Sequence, residues 1–192
     1  MKNDAADAGF LVPDASPSAP GASPPVPLIL TIPGIPRSRP RARHGARLAK
    51  GQGGVVKAVS FSYQPRGRSS NDPAARAWAR AHAWYDAVQV AFWQNRPKDA
   101  PWEGPIFVAA DIFLPRPKAY MRRKDPDGPI WAHTAPEDRD NLEKSLTDAL
   151  KAAGAFKDDR QVVDGPIRKM YHAKGAGPGV EVRLWRIGAG PE

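Results

Sequence analysis

Residues 138–154, with the sequence DRDNLEKSLTDALKAAG, carry the pattern that decides the fold. Counted from Leu142, apolar side chains recur at offsets of four, seven, eight and eleven residues, at Leu146, Ala149, Leu150 and Ala153. This spacing places them on one face of an α-helix, and Gly154 is typical of the residue just beyond a helix end. The stretch therefore predicts an amphipathic helix over about residues 140–153 whose apolar face packs on a core.

Segments on both sides of this helix have the composition of strands. Leu28 to Pro33 predicts a first strand, and Ile106 to Leu114 predicts a buried strand. Beyond the helix, Gln161 to Tyr171 and Val180 to Ile187 predict two more strands. The glycine-rich residues 174–179 between these last two favour a hairpin.

A second helix is predicted before the buried strand. Asn71-Asp72-Pro73 is typical of a helix start, and Ala74 to Gln94 carries large apolar side chains at steps of three and four. Before it, Val55 to Tyr63 is predicted to pair as a ribbon within a basic loop. The order of elements predicts a single α/β (α+β) domain with one mixed β-sheet packed against two main helices.

The composition excludes several classes of protein. The 192 residues include no cysteine, which excludes disulfide scaffolds and thiolate metal sites. No stretch approaches the roughly 20 apolar residues needed to cross a bilayer, so no membrane partner is predicted and we expect a cytoplasmic protein. The proline-rich residues 1–27 predict a disordered leader, followed by a domain over residues 28–187 and a short tail over 188–192.

The charge balance points to a polyanionic partner. Lys and Arg number 29 against 20 Asp and Glu, which gives a net charge of +9, and DNA is the expected partner for a charge of this sign. Six side chains predicted to contact DNA phosphates come from two loops: Arg37, Arg39 and Arg41 after the first strand, and Arg122, Arg123 and Lys124 in the proline-rich loop 115–136.

Acidic residues cluster where the predicted helix begins and again after it ends. Asp138 and Asp140 are two residues apart at its start, Lys144 lies one turn further on, and Asp158-Asp159 follow the helix. If these carboxylates converge, they form an oxygen site suited to Mg²⁺ or Mn²⁺. Taken separately, they are better interpreted as a helix cap, a charge favoured by the helix dipole, and a turn. The helix is about 20 Å long, so convergence requires the chain to return to its start.

The same stretch resembles the RusA family of Holliday junction resolvases. The resemblance rests on Asp138 to Lys144, Asp148-Ala149-Leu150, Ala153-Gly154, Asp158-Asp159 and Gln161-Val162-Val163, and more weakly on residues 32–41. It implies a homodimeric α/β endonuclease that requires Mg²⁺ or Mn²⁺ and resolves four-way DNA junctions by paired nicks. It also implies that Asp138, Asp140 and Asp159 are metal ligands, Lys144 the catalytic lysine and Asp158 an auxiliary acid.

One residue departs from the family pattern. Family members often have a basic residue or proline directly before the first acid, whereas Glu137 adds a negative charge there. Two other functions stay open on the sequence: a non-catalytic DNA-binding or recombination accessory protein, and a flap or general metal-dependent nuclease. The leader and the loop 115–137 lie outside the resemblance, so substrate selectivity is open too.

Overall fold

The computed structural model describes residues 26–38, 43–50, 56–63 and 72–188. These residues form eight strands and two α-helices. The strands are β1 (Leu28–Pro33), β2 (Arg43–Lys50), β3 (Val56–Tyr63), β4 (Ile106–Leu114), β5 (Ile130–Trp131), β6 (Val162–Asp164), β7 (Ile167–Tyr171) and β8 (Gly179–Arg186); the helices are α1 (Pro73–Gln94) and α2 (Arg139–Ala152). The two predicted helices and the strands β1 and β4 are confirmed, with bounds within one or two residues of the prediction.

Six of these strands form one mixed sheet, which confirms the predicted α+β architecture. The strand order is β1-β8-β4-β7-β5, with β6 paired to β4. β8 is antiparallel to both β1 and β4, whereas β7 is parallel to β4. The strands β1, β4 and β7 therefore run in the same direction, and their carboxyl ends lie at one edge of the sheet, which we name the carboxyl edge.

The predicted hairpin between the last two long strands is wrong. β4 lies between β7 and β8 and pairs with both. All but one of the side chains of β4 are buried, so it takes the centre of the sheet, where both of its faces are covered. The predicted strand 161–171 is also divided into β6 and β7 at Gly165-Pro166, where Gly165 has a φ of +135°.

Both helices pack on one face of the sheet and bury the core there. The fully buried side chains on the sheet include Leu30 and Ile32 of β1, alternate residues of β4, and Val182 and Leu184 of β8. The helices contribute Val88 and Phe92 from α1 and Leu142, Leu146, Ala149 and Leu150 from α2. Every residue of the predicted apolar face of α2 is thus buried. Its last member, Ala153, lies at the C-cap, just beyond the final helical residue.

The opposite face of the sheet carries aromatic and charged side chains. Phe107 and Trp185 stack with their ring centroids 3.9 Å apart. Asp111, in the middle of β4, accepts two hydrogen bonds from the Arg168 guanidinium, at 2.5 and 2.6 Å. The hydrogen bond to Asp111, and also the charge of that carboxylate, raise the pKa of Arg168. The ion pair compensates the charge of the buried carboxylate on the central strand.

The remaining predictions about organisation have mixed outcomes. The ribbon is present as β3 paired antiparallel with β2. The loop 115–136 contains a turn of 3-10 helix at residues 118–120 as well as the two residues of β5. The leader lies outside the described residues except for positions 26 and 27, and the tail is described only at Gly188. In the part of the chain described, neither helix has the length and apolar character to span a membrane.

Candidate functional site

Helix α2 begins beside strand β7 of the sheet. Lys169 of β7 donates a 2.8 Å hydrogen bond to the carbonyl oxygen of Glu137, and Arg139 reaches the carbonyl oxygen of Ile167 at 3.5 Å. The carboxyl edge receives the segment after β1 and the basic loop after β4, and Arg37 in the first of these pairs with Glu137 at the start of α2. The first predicted acids and two of the predicted DNA-contacting segments are therefore brought to one end of the domain.

Asp138 occupies the N-cap of α2 without acting as a side-chain cap. Its backbone is extended, with φ −72° and ψ 142°, and its carboxylate accepts no hydrogen bond from the helix backbone. Instead Oδ2 accepts a 3.3 Å hydrogen bond from the side-chain amide of Asn141. N-terminal aspartates ordinarily accept backbone N–H groups there, so the structure disfavours the interpretation of Asp138 as a cap.

Asp140 and Lys144 lie beside Asp138 along the first turns of the helix. Asp140 is in the first turn, and both it and Lys144 are exposed at the surface. Residues four apart lie on the same helix face, with their Cβ atoms about 6 Å apart. The three predicted site residues at this end therefore present two carboxylates and one ammonium group to solvent.

Asp159 lies at the far end of α2, because it follows the last turn of the helix before the chain runs back along it. Glu137 contacts Lys169 and Arg139 contacts Ile167 near the helix start, whereas Lys151 in the last turn contacts Asp159. Lys151 is eleven residues beyond Asp140, about 16 Å along the helix axis. It is therefore β7, not Asp158-Asp159, that returns to the start of α2.

Asp159 has a cation of its own at that far end. Its carboxylate is 3.2 Å from Lys151 Nζ, and Asp158 is 3.9 Å from the same ammonium group. A hydrogen bond with Asp158, then the hydrogen bond and charge of Lys151, hold the pKa of Asp159 below its ordinary value. Asp159 is thus kept ionised, as a metal ligand must be.

Asp158 has a structural role that its neighbour lacks. Its carboxylate accepts a 3.0 Å hydrogen bond from the backbone N–H of Arg160, and the side chain of Gln161 accepts from the backbone N–H of Asp158 at 2.9 Å. This reciprocal pair is a capping box on the 3-10 turn Asp159–Gln161. For Asp158, the interpretation as a cap and turn is supported.

Within one chain, the described residues include no cluster of three or more acids or histidines placed to hold a metal ion. Asp138 and Asp140 lie at one end of α2 and Asp159 lies at the other. Between them runs a cleft of about 290 Å³, lined by Glu143 and Thr147 of α2 and by residues of β6 and its neighbours. Within one chain, Asp138 and Asp140 are therefore too far from Asp159 to share an ion with it.

Arg37 is paired with an acid at this end. Its Nη1 lies 2.5 Å from Oε1 of Glu137, the residue directly before Asp138. The Glu137 side chain is only 15% exposed, so the negative charge that departs from the family pattern is compensated within the fold. Sequence reasoning treated each residue separately; a pairing across 100 positions leaves no local signal.

The basic loop after β4 is held by two cations that sequence reasoning did not single out. Arg116 is buried and donates to the carbonyl oxygens of Tyr120, Pro126 and Gly128 at 2.7 to 3.0 Å. Lys174 donates to the carbonyl oxygens of Arg122 and Asp125. With its carbonyl groups turned inward, the loop leaves Arg122, Arg123 and Lys124 exposed. Arg39 and Arg41 lie outside the described residues.

Comparison with known proteins agrees with this arrangement. The family described as endodeoxyribonuclease RusA matches residues 58–184, more than half of the chain. The matched range includes α1, the sheet from β4 to β8, the start of α2 and the two acidic clusters. No curated protein matches the chain. The recurrence of this family's sequence pattern across the sheet and both helices shows that the chain belongs to the RusA family of endodeoxyribonucleases.

Proposed function

We propose that the protein is a Mg²⁺- or Mn²⁺-dependent endodeoxyribonuclease that resolves four-way DNA junctions by paired nicks, in recombination and repair in the cytoplasm. The observation that carries this proposal is the state of Asp138. A carboxylate at a helix N-cap that is exposed and makes no bond to the helix backbone is available to a ligand. The chain belongs to a family of endodeoxyribonucleases, and for such an enzyme we propose that this ligand is a divalent metal ion.

The residues at the start of α2 fit a divalent cation. Asp138 and Asp140 offer hard oxygen ligands, which Mg²⁺ and Mn²⁺ prefer, and the chain contains no cysteine that could supply a thiolate. When bound, such an ion activates water and stabilises charge on a phosphodiester. Lys144, on the same face, supplies a fixed positive charge for the phosphate as negative charge develops on its oxygens.

A third carboxylate is best supplied by a second copy of the chain. Asp159 lies about the length of the helix from Asp140, so one chain does not bring them together. In a twofold dimer with antiparallel α2 helices, Asp159 of each chain meets Asp138 and Asp140 of the other. This arrangement retains Asp138, Asp140 and Asp159 as ligands and Lys144 as the catalytic lysine, with Asp158 as an auxiliary acid that holds the turn of Asp159.

DNA is proposed to lie along the carboxyl edge. Arg122, Arg123 and Lys124 are exposed on a loop whose shape is held by Arg116 and Lys174. A loop ordered before binding loses less entropy when its side chains contact phosphates. Arg39 and Arg41, next to Arg37 in the sequence, extend the predicted basic surface.

The test compares substrates and metals. The full chain is expected to cleave a synthetic four-way junction with Mg²⁺ or Mn²⁺, at symmetric positions, and to lose all cleavage with a chelator. Asp140→Asn is expected to reduce cleavage by at least about 100-fold while junction affinity stays equal or rises, because a negative charge facing phosphate is removed. Asp86→Asn, which removes the same charge from the exposed surface of α1, is the matched control.

Each rival function has its own outcome in this assay. Equal cleavage of a flap or a linear duplex supports a general metal-dependent nuclease. Junction binding without cleavage under any divalent metal supports a non-catalytic accessory protein and contradicts the proposal.

A further inference from the structure

Glu137 and Arg37 join two parts of the domain that are far apart in the sequence. The ion pair between Arg37 Nη1 and Glu137 Oε1 is 2.5 Å long, with 34% and 15% of the two side chains exposed. Each residue is also held through its backbone: buried Ser145 donates to the carbonyl oxygen of Arg37 at 3.2 Å, and Lys169 donates to that of Glu137 at 2.8 Å. The segment after β1, the start of α2 and β7 thus meet at residue 137.

From these contacts we propose that the Arg37–Glu137 pair is a clamp that positions Asp138, and that Arg37 serves the proposed metal site as a positioning residue instead of contacting a DNA phosphate. The inference rests on the proposed function, because it concerns the same acids. Asp138 follows Glu137 directly in the chain, so the clamp fixes the position of the Asp138 backbone from which its carboxylate extends. The side-chain amide of Asn141 donates a 3.3 Å hydrogen bond to the Asp138 carboxylate at the other end of that side chain.

The charge balance supports the clamp. Without Arg37, Glu137 would place a third negative charge beside Asp138 and Asp140, and its carboxylate, largely removed from water, would lose this ion pair. Removing one partner of a desolvated pair is more harmful than removing both, since the remaining charge is left uncompensated. The guanidinium of Arg37 is likewise committed to a carboxylate, and a DNA phosphate would have to displace it.

A double-mutant cycle tests the contact independently of any nuclease activity. Arg37→Met, Glu137→Gln and the double variant are compared by urea unfolding of the full chain. We expect the two single changes to be non-additive, with the double variant more stable than the sum of the single effects predicts. Additive effects would show that the clamp does not exist in solution. A wild-type protein without cleavage activity would contradict the proposed function while leaving this measurement intact.

The same cycle, followed by single-turnover junction cleavage at saturating DNA, tests positioning. Arg37→Met is expected to slow cleavage about tenfold with junction affinity changed by less than about twofold, and the added Glu137→Gln change is expected to restore the rate to within about threefold of wild type. Arg37→Lys, which keeps the charge, should lose less than Arg37→Met.

Arg123→Met serves as the control for a phosphate contact. It should weaken junction affinity, lower the slope of log affinity against log salt by about one, and gain nothing from Glu137→Gln. If Arg37→Met behaves like this control, Arg37 is a phosphate contact and the proposal is wrong. Coupling in stability without recovery of the cleavage rate would also overturn it, because the pair would then be structural only.

Discussion

At the scale of single residues, two aspartates at equivalent positions have different roles. Asp138 precedes α2 and Asp158 precedes a 3-10 turn, and both are N-caps with an extended backbone. Asp158 accepts a backbone N–H and is part of a capping box, whereas the carboxylate of Asp138 accepts a side-chain amide at 3.3 Å and no N–H of the helix backbone. Residue type and position alone do not distinguish them. The hydrogen bonds do, and they make Asp138 the better candidate for a ligand.

Asp159 offers a prediction at this scale. Lys151→Met removes the hydrogen bond and charge that, after the bond with Asp158, hold the pKa of Asp159 below its ordinary value, so this pKa should rise. A carboxyl-detected NMR titration measures it. Lys144→Met, at the other end of α2, should leave the pKa of Asp159 unchanged; an equal shift in both variants would contradict the assignment.

The sign of the linked pH effect follows from the direction of this shift. Because the pKa of Asp159 is lowered in the folded state, its ion pair stabilises the protein above the ordinary pKa, and the contribution is lost as the pH falls through the folded-state value. The effect is small, since the pair is exposed.

At the scale of secondary-structure elements, the junction between β6 and β7 fixes how the chain returns along α2. Gly165 adopts a φ of +135°, and a Cβ atom there would lie 2.0 Å from the carbonyl oxygen of Val108 on β4. Only glycine allows this approach, which brings β6 and then β7 alongside β4. The same path keeps Asp159 at the end of α2 away from Asp138.

Gly165→Ala is therefore expected to be severely destabilising. The added methyl group meets backbone atoms that cannot move without disturbing the central strand, and the positive φ adds strain. We expect a loss of more than about 3 kcal/mol in the free energy of unfolding, measured by urea denaturation. Gly175→Ala is the control, because Gly175 also has a positive φ, +78°, but there is open space around the position of its Cβ atom. Equal losses in both variants would show that close approach to β4 is unimportant.

At the scale of the whole molecule, the proposed site depends on how two chains meet. One chain presents Asp138 and Asp140 at one end of α2 and Asp159 at the other. The proposed dimer would therefore bring these two ends together twice. Two sites related by a twofold axis match the two symmetric cuts that resolve a four-way junction. The dimer interface would then follow the exposed side of α2 and β6, where Val163 is 59% exposed.

Mixed dimers test this arrangement. Asp140→Asn and Asp159→Asn protomers are each expected to be inactive alone. When they are mixed and exchanged, one site of each mixed dimer contains both changes and the other contains neither, so nicking should return to about a quarter of the wild-type rate, as single nicks. The measurement is strand nicking of a labelled junction. If all three acids belonged to one chain, every site would carry a change and no activity would return.

The leader is the subject of a second prediction at this scale. A variant that begins at Leu28 should fold with the same thermal stability and nick a junction at a rate within about twofold of the full chain, because residues 1–27 lack the apolar periodicity that packs against a core. Circular dichroism and the junction assay check both points. Loss of folding would place the leader within the domain, contrary to this expectation.

The sequence alone determined the local elements and the chemistry of the acidic clusters. Helix α2 and the strands β1 and β4 follow from periodicity and from runs of apolar residues, which act over a few neighbouring positions. The tertiary structure decided the strand order and the partners of the charges. β4 lies between β7 and β8, where a hairpin was predicted, because its apolar side chains on both faces are buried at the centre of the sheet. Which strand takes the centre depends on segments that are distant in the sequence. For the same reason the positions of Asp159 and of the Arg37–Glu137 pair followed only from the path of the folded chain, which no local pattern records.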